Sequence, residues 1–525
     1  MLQSSPIPAS LFEPGRNCWR VGRTERLGLI VDAAEYFARL RQALLGARRQ
    51  VLLIGWDFDF EIDMLPGESD EQGRAPDGLP NALGPFLEAI IERAPDLRLY
   101  ILKWDGAILA APGRILPALW MDLFGDQRIH FALDSHHPLG GCHHQKVVVV
   151  DDALAFCGGI DATEDRWDTS DHAPDDPRRK RKDGSPSEPW HDATTALTGP
   201  IARDLGDLAR RRWALATGQA LEPPSEAEAD AADVECWPDG LPVAARDVEV
   251  AVARTEPPYD GQPYVNEIER LYLDSVEAAR EIIYIESQYL TADTVNEALE
   301  RRLREPDGPE VLIVNPQAAL SSLEDKAMHP LRGRAIERLE AADRGDRFRI
   351  WHPANAAGEP IYVHAKVFVV DDRILRIGSS NLDNRSMGLD TECDVAFEGR
   401  DPQTARVIGA FRARLLAEHL GTTPEAVERA HDERGSWVAA VEALNPPEGR
   451  GLRRIVRMPE GPVARLMADH RLLDPRYRVG RVVQGGFGLR PRHLRAVGLA
   501  LAAGFAAGAG WLAWRRWSAR GRDRD

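Results

Sequence analysis

The sequence predicts an α/β fold made of two duplicated halves, with sheets covered by helices. Three observations predict it. A 29-residue stretch occurs twice without a gap, His144–His172 and His364–Glu392, the copies lying 220 residues apart. Short apolar, β-branched runs alternate along the chain with segments of helical spacing, the pattern of helices layered on sheets. At 525 residues the chain is too long for one ordinary core.

In chain order, residues 1–16 carry neither a basic start nor an apolar run, so no secretory signal is expected. Asp32–Ala47 has helical spacing (Tyr36, Phe37, Leu40, Leu44), with Asp32 as its cap. Val51–Trp56 is a short apolar strand, and Asp63–Pro85, with Pro, Gly and acids, is a loop. Phe86–Arg93 is a helix, Leu97–Lys103 alternates into a strand, and Ile129–Leu133 leads to the first copy of the repeat. After that copy, Asp175–Lys182 turns from acidic to basic, which suits a solvated loop or a phosphate contact at a site's mouth. Residues 221–245 read as the linker between the halves. The second half restarts the pattern with strand Val248–Ala253, helix Tyr264–Ala279, strand Ile282–Ile285, helix Thr294–Leu303 and strand Glu310–Val314. Ala47-Arg48-Arg49-Gln50 before one strand resembles Ala279-Arg280-Glu281-Ile282 before the other, so the duplication extends beyond the motifs. Thr422–Trp437 is expected to form a polar helix outside the core, within a basic helical extension over 421–490.

Each copy opens with His-x-Lys-x-x-x-x-Asp: His144, Lys146 and Asp151, then His364, Lys366 and Asp371. Side chains two apart on a strand share a face, so each His lies beside its Lys. The apolar runs Val147–Val150 and Val367–Val370 are buried strands. Gly158-Gly159-Ile160-Asp161 and Gly378-Ser379-Ser380-Asn381 follow, and their glycines let backbone N–H groups approach an anion. Two imidazoles, two ammonium groups and the Ser379 and Asn381 donors suit a phosphodiester: a nucleophile, an acid for the leaving oxygen, and charge around the phosphoryl oxygens. The lysines supply what a metal ion would, so neither metal nor cofactor is required for the reaction. A nucleophilic His needs its second nitrogen held by an acceptor. Glu392 is that acceptor in the second copy, and the gap-free alignment sets His172 opposite it, so the halves are expected to differ. His144 is then the nucleophile, oriented by Glu392 across the interface, and His364 the acid, with the reverse assignment open. Asp151 and Asp371 are counted with the catalytic set, although their place at the strand end, on the opposite face from the Lys, suits bonding to backbone or to a base.

Net charge is −17, but from Arg450 onward there are 17 Lys and Arg against 5 Asp and Glu, leaving −29 on residues 1–449. An acidic body does not suit a nucleic-acid backbone, so no nucleic-acid partner is expected; a basic tail suits an anionic membrane. Ala496–Trp514 runs 19 residues without a charge, flanked by arginines and with Trp511, Trp514 and Trp517 near one end. It is the candidate transmembrane helix and C-terminal anchor, with the catalytic part in the cytoplasm. Five cysteines without CxxC spacing point to a reducing compartment and small apolar core residues.

The paired motifs resemble the phospholipase D superfamily over roughly residues 17–420. More narrowly they look like its phosphatidylcholine-type members. The residues that carry this are His143-His144-Gln145-Lys146, Gly158–Asp161, Arg166-Trp167-Asp168-Thr169 with His172, Pro189-Trp190-His191-Asp192, Glu286-Ser287-Gln288-Tyr289, and Gly378–Asn381 with Asn384-Arg385-Ser386. Ser287 stands where that subgroup usually has Asn. The resemblance implies two pseudo-symmetric lobes, each a mixed β-sheet flanked by helices (residues 17–220 and 246–420), with the active site at their seam in a monomeric catalytic unit. It also implies a phosphohistidine intermediate, a phospholipid substrate, and Gly159, Asp161, His172, His191, Ser379 and Asn381 as substrate-binding residues. The expected activity is hydrolysis of a phosphatidylcholine-like lipid to phosphatidic acid, with transfer to alcohols; the rivals are a phospholipid synthase of the cardiolipin synthase kind, a nuclease and an inactive lipid-binding scaffold.

Overall fold

The computed structural model describes residues 9–106, 125–233, 236–456 and 460–477. The candidate membrane helix 496–514 lies outside them. No helix among the described residues is long and apolar enough to cross a membrane.

The first half supplies strands β1 (Arg20–Val31), β2 (Gln50–Gly55), β3 (Arg98–Trp104), β4 (Ile129–Asp134), β5 (Val147–Val150), β6 (Leu154–Gly158), β7 (Trp190–His191) and β8 (Ala193–Thr198). The second supplies β9 (Ala245–Glu256), β10 (Val265–Asn266), β11 (Ile282–Glu286), β12 (Glu310–Val314), β13 (Phe348–Ala354), β14 (Tyr362–Val363), β15 (Val367–Val370), β16 (Ile374–Gly378) and β17 (Glu392–Glu398). Last comes β18 (Gly451–Arg454). The order 4-3-2-5-6-8-1 in one half is repeated as 13-12-11-15-16-17-9 in the other. The expected pair of sheets is in fact one continuous mixed sheet. β1 and β9, both 12 residues long, run antiparallel at its centre from Arg20↔Val252 to Leu27↔Ala245 and join the halves edge to edge.

The layers follow the duplication. On one face a single apolar cluster spans both halves under helices α3 (Pro200–Thr217) and α7 (Pro402–Leu420), with Leu205, Trp213, Phe411 and Leu415 packed on Val147, Val149, Val367 and Val369. On the other face there are two clusters. Helices α1 (Ala33–Gly46) and α2 (Leu83–Arg93) cover the first half, and α4 (Glu267–Ala278), α5 (Asp293–Arg304) and α6 (Ser322–Ala342) the second. Strands buried on both faces explain why the four-residue runs before the turns, Val147–Val150 and Val367–Val370, are continuously apolar.

Asp151 and Asp371, at φ 53° and 52°, sit in the hairpin turns after β5 and β15, in the left-handed region that Asp tolerates better than most residues. Asp151 accepts from the backbone N–H groups of Arg48, Arg49 and Gln50, and Asp371 from those of Arg280, Glu281 and Ile282. The repeated Ala-Arg segments are thus the docking points of the motif's last residue, and neither Asp enters the catalytic set.

Two other expectations change. Thr422–Trp437 is not a polar helix outside the core: helices Pro424–Arg434 and Trp437–Leu444 bury Val427, Trp437, Val438 and Val441 in the shared cluster. The extension is also not all helix, since β18 adds an edge strand against β13. In the basic run 178–182, Arg178 pairs with Asp176, buried Arg179 with Asp168, Arg181 with Asp165, and Lys182 with Asp59 and Glu61. Those cations hold the loop together.

Candidate active site

The segment ahead of each motif crosses to the other half. Residues around His144 pair with Thr391: Thr391 N–H donates to the Cys142 carbonyl and His144 N–H to the Thr391 carbonyl, at 2.9 Å each. In the mirror arrangement β14 pairs with β7, and His364 N–H donates to the His191 carbonyl at 2.8 Å. Each crossing sets a motif histidine beside a carboxylate of the opposite half. Glu392 accepts from His144 Nδ1 at 3.0 Å, and Asp192 accepts from His364 Nδ1 at 2.6 Å. The four groups form a reciprocal exchange across the seam.

Asp192 was not expected in this role. The gap-free alignment had paired Glu392 with His172. Structurally, Gly158 lies opposite Thr194 and Gly378 opposite Asp394, so Asp192 is the counterpart of Glu392. Asp192 comes 48 residues after His144, whereas Glu392 comes 28 after His364. The first half carries a 20-residue insertion, the loop after Asp161 that holds the basic run. The expected asymmetry in the histidines' acceptors disappears with that correction: each Nδ1 faces a carboxylate.

The ammonium groups sit within the same cage. Lys146 Nζ donates to the His144 carbonyl at 3.1 Å and pairs with Asp161 at 3.1 Å; Lys366 Nζ donates to the His364 carbonyl. Asp161 also accepts the Trp56 N–H, so each of its oxygens has a partner and it positions Lys146. Ser379 likewise serves Glu392, donating to it at 2.5 Å beside Ser386 at 2.7 Å. Gly159 N–H is taken by the Ala193 carbonyl, and a Cβ there would stand 2.2 Å from Asp192 Oδ1, so this glycine makes room for the carboxylate. Asn381, beside the seam, keeps a buried side-chain oxygen without a hydrogen-bond partner among the described residues. Arg166, missing from the expected site, lies over the Trp190 ring at 4.2 Å, and Trp190 packs on His364 at 5.2 Å.

Electrostatics couple these groups. Burial, then the charge of Lys146 and Lys366, holds His144 well below the usual imidazole range; burial, then Lys366 and Arg166, does the same to His364. Burial brings Lys366 down to about 7 and lifts Asp192 to about 6, each opposed by the other's charge. Burial also raises Glu392, against the pull of the Ser379 hydroxyl. The result is two neutral imidazoles in a cationic pocket, ready to receive an anion.

His172 and His191 do not line the site. Both are fully buried behind it, in a polar layer with Asp32, Asp168, Glu286, Glu418 and His419. Although burial opposes it, Asp32, Asp168 and Glu418 push His172 up to about 9. Asp32 does not cap α1 through its side chain; its carboxylate turns inward, accepting from Ser170 Oγ and the Asp192 N–H. All five cysteines are buried and none is disulfide-bonded.

Comparison with known proteins agrees with this geometry. A family model described as phospholipase D matches residues 134–296, and one described as cardiolipin synthase, PLD-like domain, matches 272–414. Among curated proteins, phospholipase D A of Dictyostelium discoideum is 24% identical over 77% of this chain and 36% of its own length. Phospholipase D alpha 1 of Vigna unguiculata is 24% identical over 74% of this chain and 64% of its own. The chain therefore spans less than two thirds of either relative. Among solved structures, phosphatidylserine synthase of Haemophilus influenzae Rd KW20 superposes with a TM-score of 0.53 at 13% identity, over 80% of this chain and 94% of that one, a likeness of fold. With two matched PLD-like regions, each holding one complete motif, the chain belongs to the phospholipase D superfamily.

Proposed function

We propose that the protein is a phospholipase D that cleaves a phosphatidylcholine-like glycerophospholipid to phosphatidic acid. The reciprocal His–carboxylate exchange carries this reading. His144 Nε2 attacks phosphorus while Glu392 holds its Nδ1–H, and the headgroup oxygen leaves with a proton from His364. The incoming phosphate charge favours that proton on His364, and Asp192 stabilises the imidazolium. Lys146, Lys366 and Asn381 surround the phosphoryl oxygens. Water or an alcohol, deprotonated by His364, then releases the phosphatidyl group from His144. The His144 side chain is 13% exposed and that of His364 7%, which favours His144 as the group that meets phosphorus.

A phospholipid synthase is the second reading, supported by the description of the model matched over 272–414. It differs only in the acceptor. The deciding experiment supplies phosphatidylcholine with a primary alcohol and separates the products: phosphatidic acid plus phosphatidyl-alcohol supports the lipase. Transfer without any hydrolysis supports the synthase, and neither product overturns both. Residues 496–514 with the basic tail are the proposed membrane anchor; removal of 490–525 should move the protein from the sedimenting membrane fraction to the supernatant.

A further inference from the structure

Behind the catalytic seam, four groups from four segments converge: Asp32, His172, His191 and Glu418. Their ligand-type atoms all lie within 4.8 Å of one another. Glu418 Oε1 is 2.9 Å from His191 Nδ1 and 3.3 Å from His172 Nε2, and Asp32 is 3.3 Å and 3.8 Å from the same nitrogens. A tetrahedral ion with bonds of about 2.0–2.1 Å needs ligand atoms about 3.3 Å apart.

The outer partners of the imidazoles sharpen this. His172 Nδ1 is held by Asp168 at 2.9 Å, and His191 Nε2 by Glu286 at 2.9 Å. Glu286 also accepts from His419 at 2.7 Å and Tyr284 at 2.5 Å, and Asp168 from Arg179 at 3.0 Å, so both act as carboxylates. With those nitrogens protonated, the second nitrogens, His172 Nε2 and His191 Nδ1, face Asp32 and Glu418 inside the cluster, where each carries either a proton or a metal ion. An imidazole nitrogen 2.9 Å from a carboxylate oxygen needs a proton or a metal cation between them. His191 Nδ1 is fully buried and makes no hydrogen bond, despite both carboxylates beside it. A carboxylate behind each imidazole is the outer shell that orients histidine on a metal. Asp32 also holds an unusual backbone conformation, φ 67°, to bring its carboxylate there.

We propose that Asp32, His172, His191 and Glu418 bind one divalent cation of the zinc type, in a closed structural site. Two nitrogens and two carboxylate oxygens suit zinc better than calcium or magnesium, which favour all-oxygen shells. The ion brings the same two positive charges to the layer as protonation of both imidazoles would. Its function is positional. The His191 carbonyl receives the His364 N–H, and Asp192 follows directly, so the ion fixes the segment that aims the second dyad.

The test is metal content of the full chain, purified without chelator from zinc-supplemented cells and dialysed. About one zinc per chain is expected in the wild type and in His144→Gln, and less than about a tenth in His172→Gln and Glu418→Gln. Zinc-free wild type given Co²⁺ should develop the visible absorption of a tetrahedral site. Wild-type protein that neither carries zinc nor takes up Co²⁺ overturns the proposal and leaves a proton-held ionic layer. Zinc that persists in folded Glu418→Gln overturns it too, by placing the ion elsewhere. If the cluster variants do not fold, the wild-type and His144→Gln measurements still decide. None of these readouts depends on the substrate.

Discussion

The two dyads of the seam use the same chemistry in different surroundings. His144 and Glu392 are backed by hydroxyls, those of Ser379 and Ser386. His364 and Asp192 are backed by the ionic layer of His191, Asp32 and Glu286, with the Trp190 ring packed over the imidazole. The duplication copied the strands and the crossing; the surroundings then diverged. One histidine is the more open, the other sits in a rigid, charged pocket with a shorter bond to its acid. That difference fits one group that must reach phosphorus and one that must give and take a proton.

Removing the histidines tests the division most strongly. His144→Ala and His364→Ala should each lose on the order of 10³-fold or more in turnover on a natural lipid. A diester with a p-nitrophenolate leaving group separates them, because that anion departs without an acid. It should restore much of the rate to His364→Ala and none to His144→Ala. Rescue of His144→Ala instead would exchange the roles.

The acid partners come next. Asp192→Asn and Glu392→Gln keep the shape but remove the charge that stabilises an imidazolium, and should cost about 10²- to 10⁴-fold in kcat. Asp192→Asn should lose more on the natural lipid than on the p-nitrophenyl diester, and Glu392→Gln about equally on both. Equal losses for both variants on both substrates would mean that the dyads do not divide the work.

A pH profile is a milder test of the same contrast. Lys366 carries its charge below about 7 and loses it as pH rises, so kcat/KM should fall above that value. Asp192 is ionised above about 6 and takes a proton below it, so activity should also fall on the acid side. Asp192→Asn should remove the acid limb that Asp192 sets and, by taking away the charge that holds Lys366 up, move the alkaline limb to lower pH; a profile unchanged in that variant would remove Asp192 from the reaction.

How much of this could be read from the chain varies with the physics involved. The strands beside each motif were legible because a four-residue β-branched run between polar turns has one good reading. Glu392 was legible because it lies in the repeat. Asp192 was hidden by the insertion after Asp161, since a gap-free alignment cannot register a longer loop. The join of β1 to β9 was invisible because an edge strand's partner leaves no local mark. Asp32 was misread for a related reason: an Asp before a helix looks like a cap, and only the fold shows its carboxylate facing His191.

The motif aspartates give the smallest effect on rate and a direct comparison of the halves on stability. Asp151 and Asp371 each satisfy three backbone N–H groups at the start of a central strand, but Asp151 is 1% exposed whereas Asp371 is partly open to solvent. Removal of a buried acceptor leaves its donors unsatisfied; removal of an exposed one lets water replace it. Asp151→Ala should therefore destabilise by about 2–3 kcal/mol and Asp371→Ala by about 1 kcal/mol, with kcat within about threefold of wild type in both. Denaturant midpoints and turnover, measured on the same preparations, check the pair. A large loss of kcat in a stable Asp371→Ala protein would return that residue to the catalytic set, and equal destabilisation would show that burial does not set the cost at these turns.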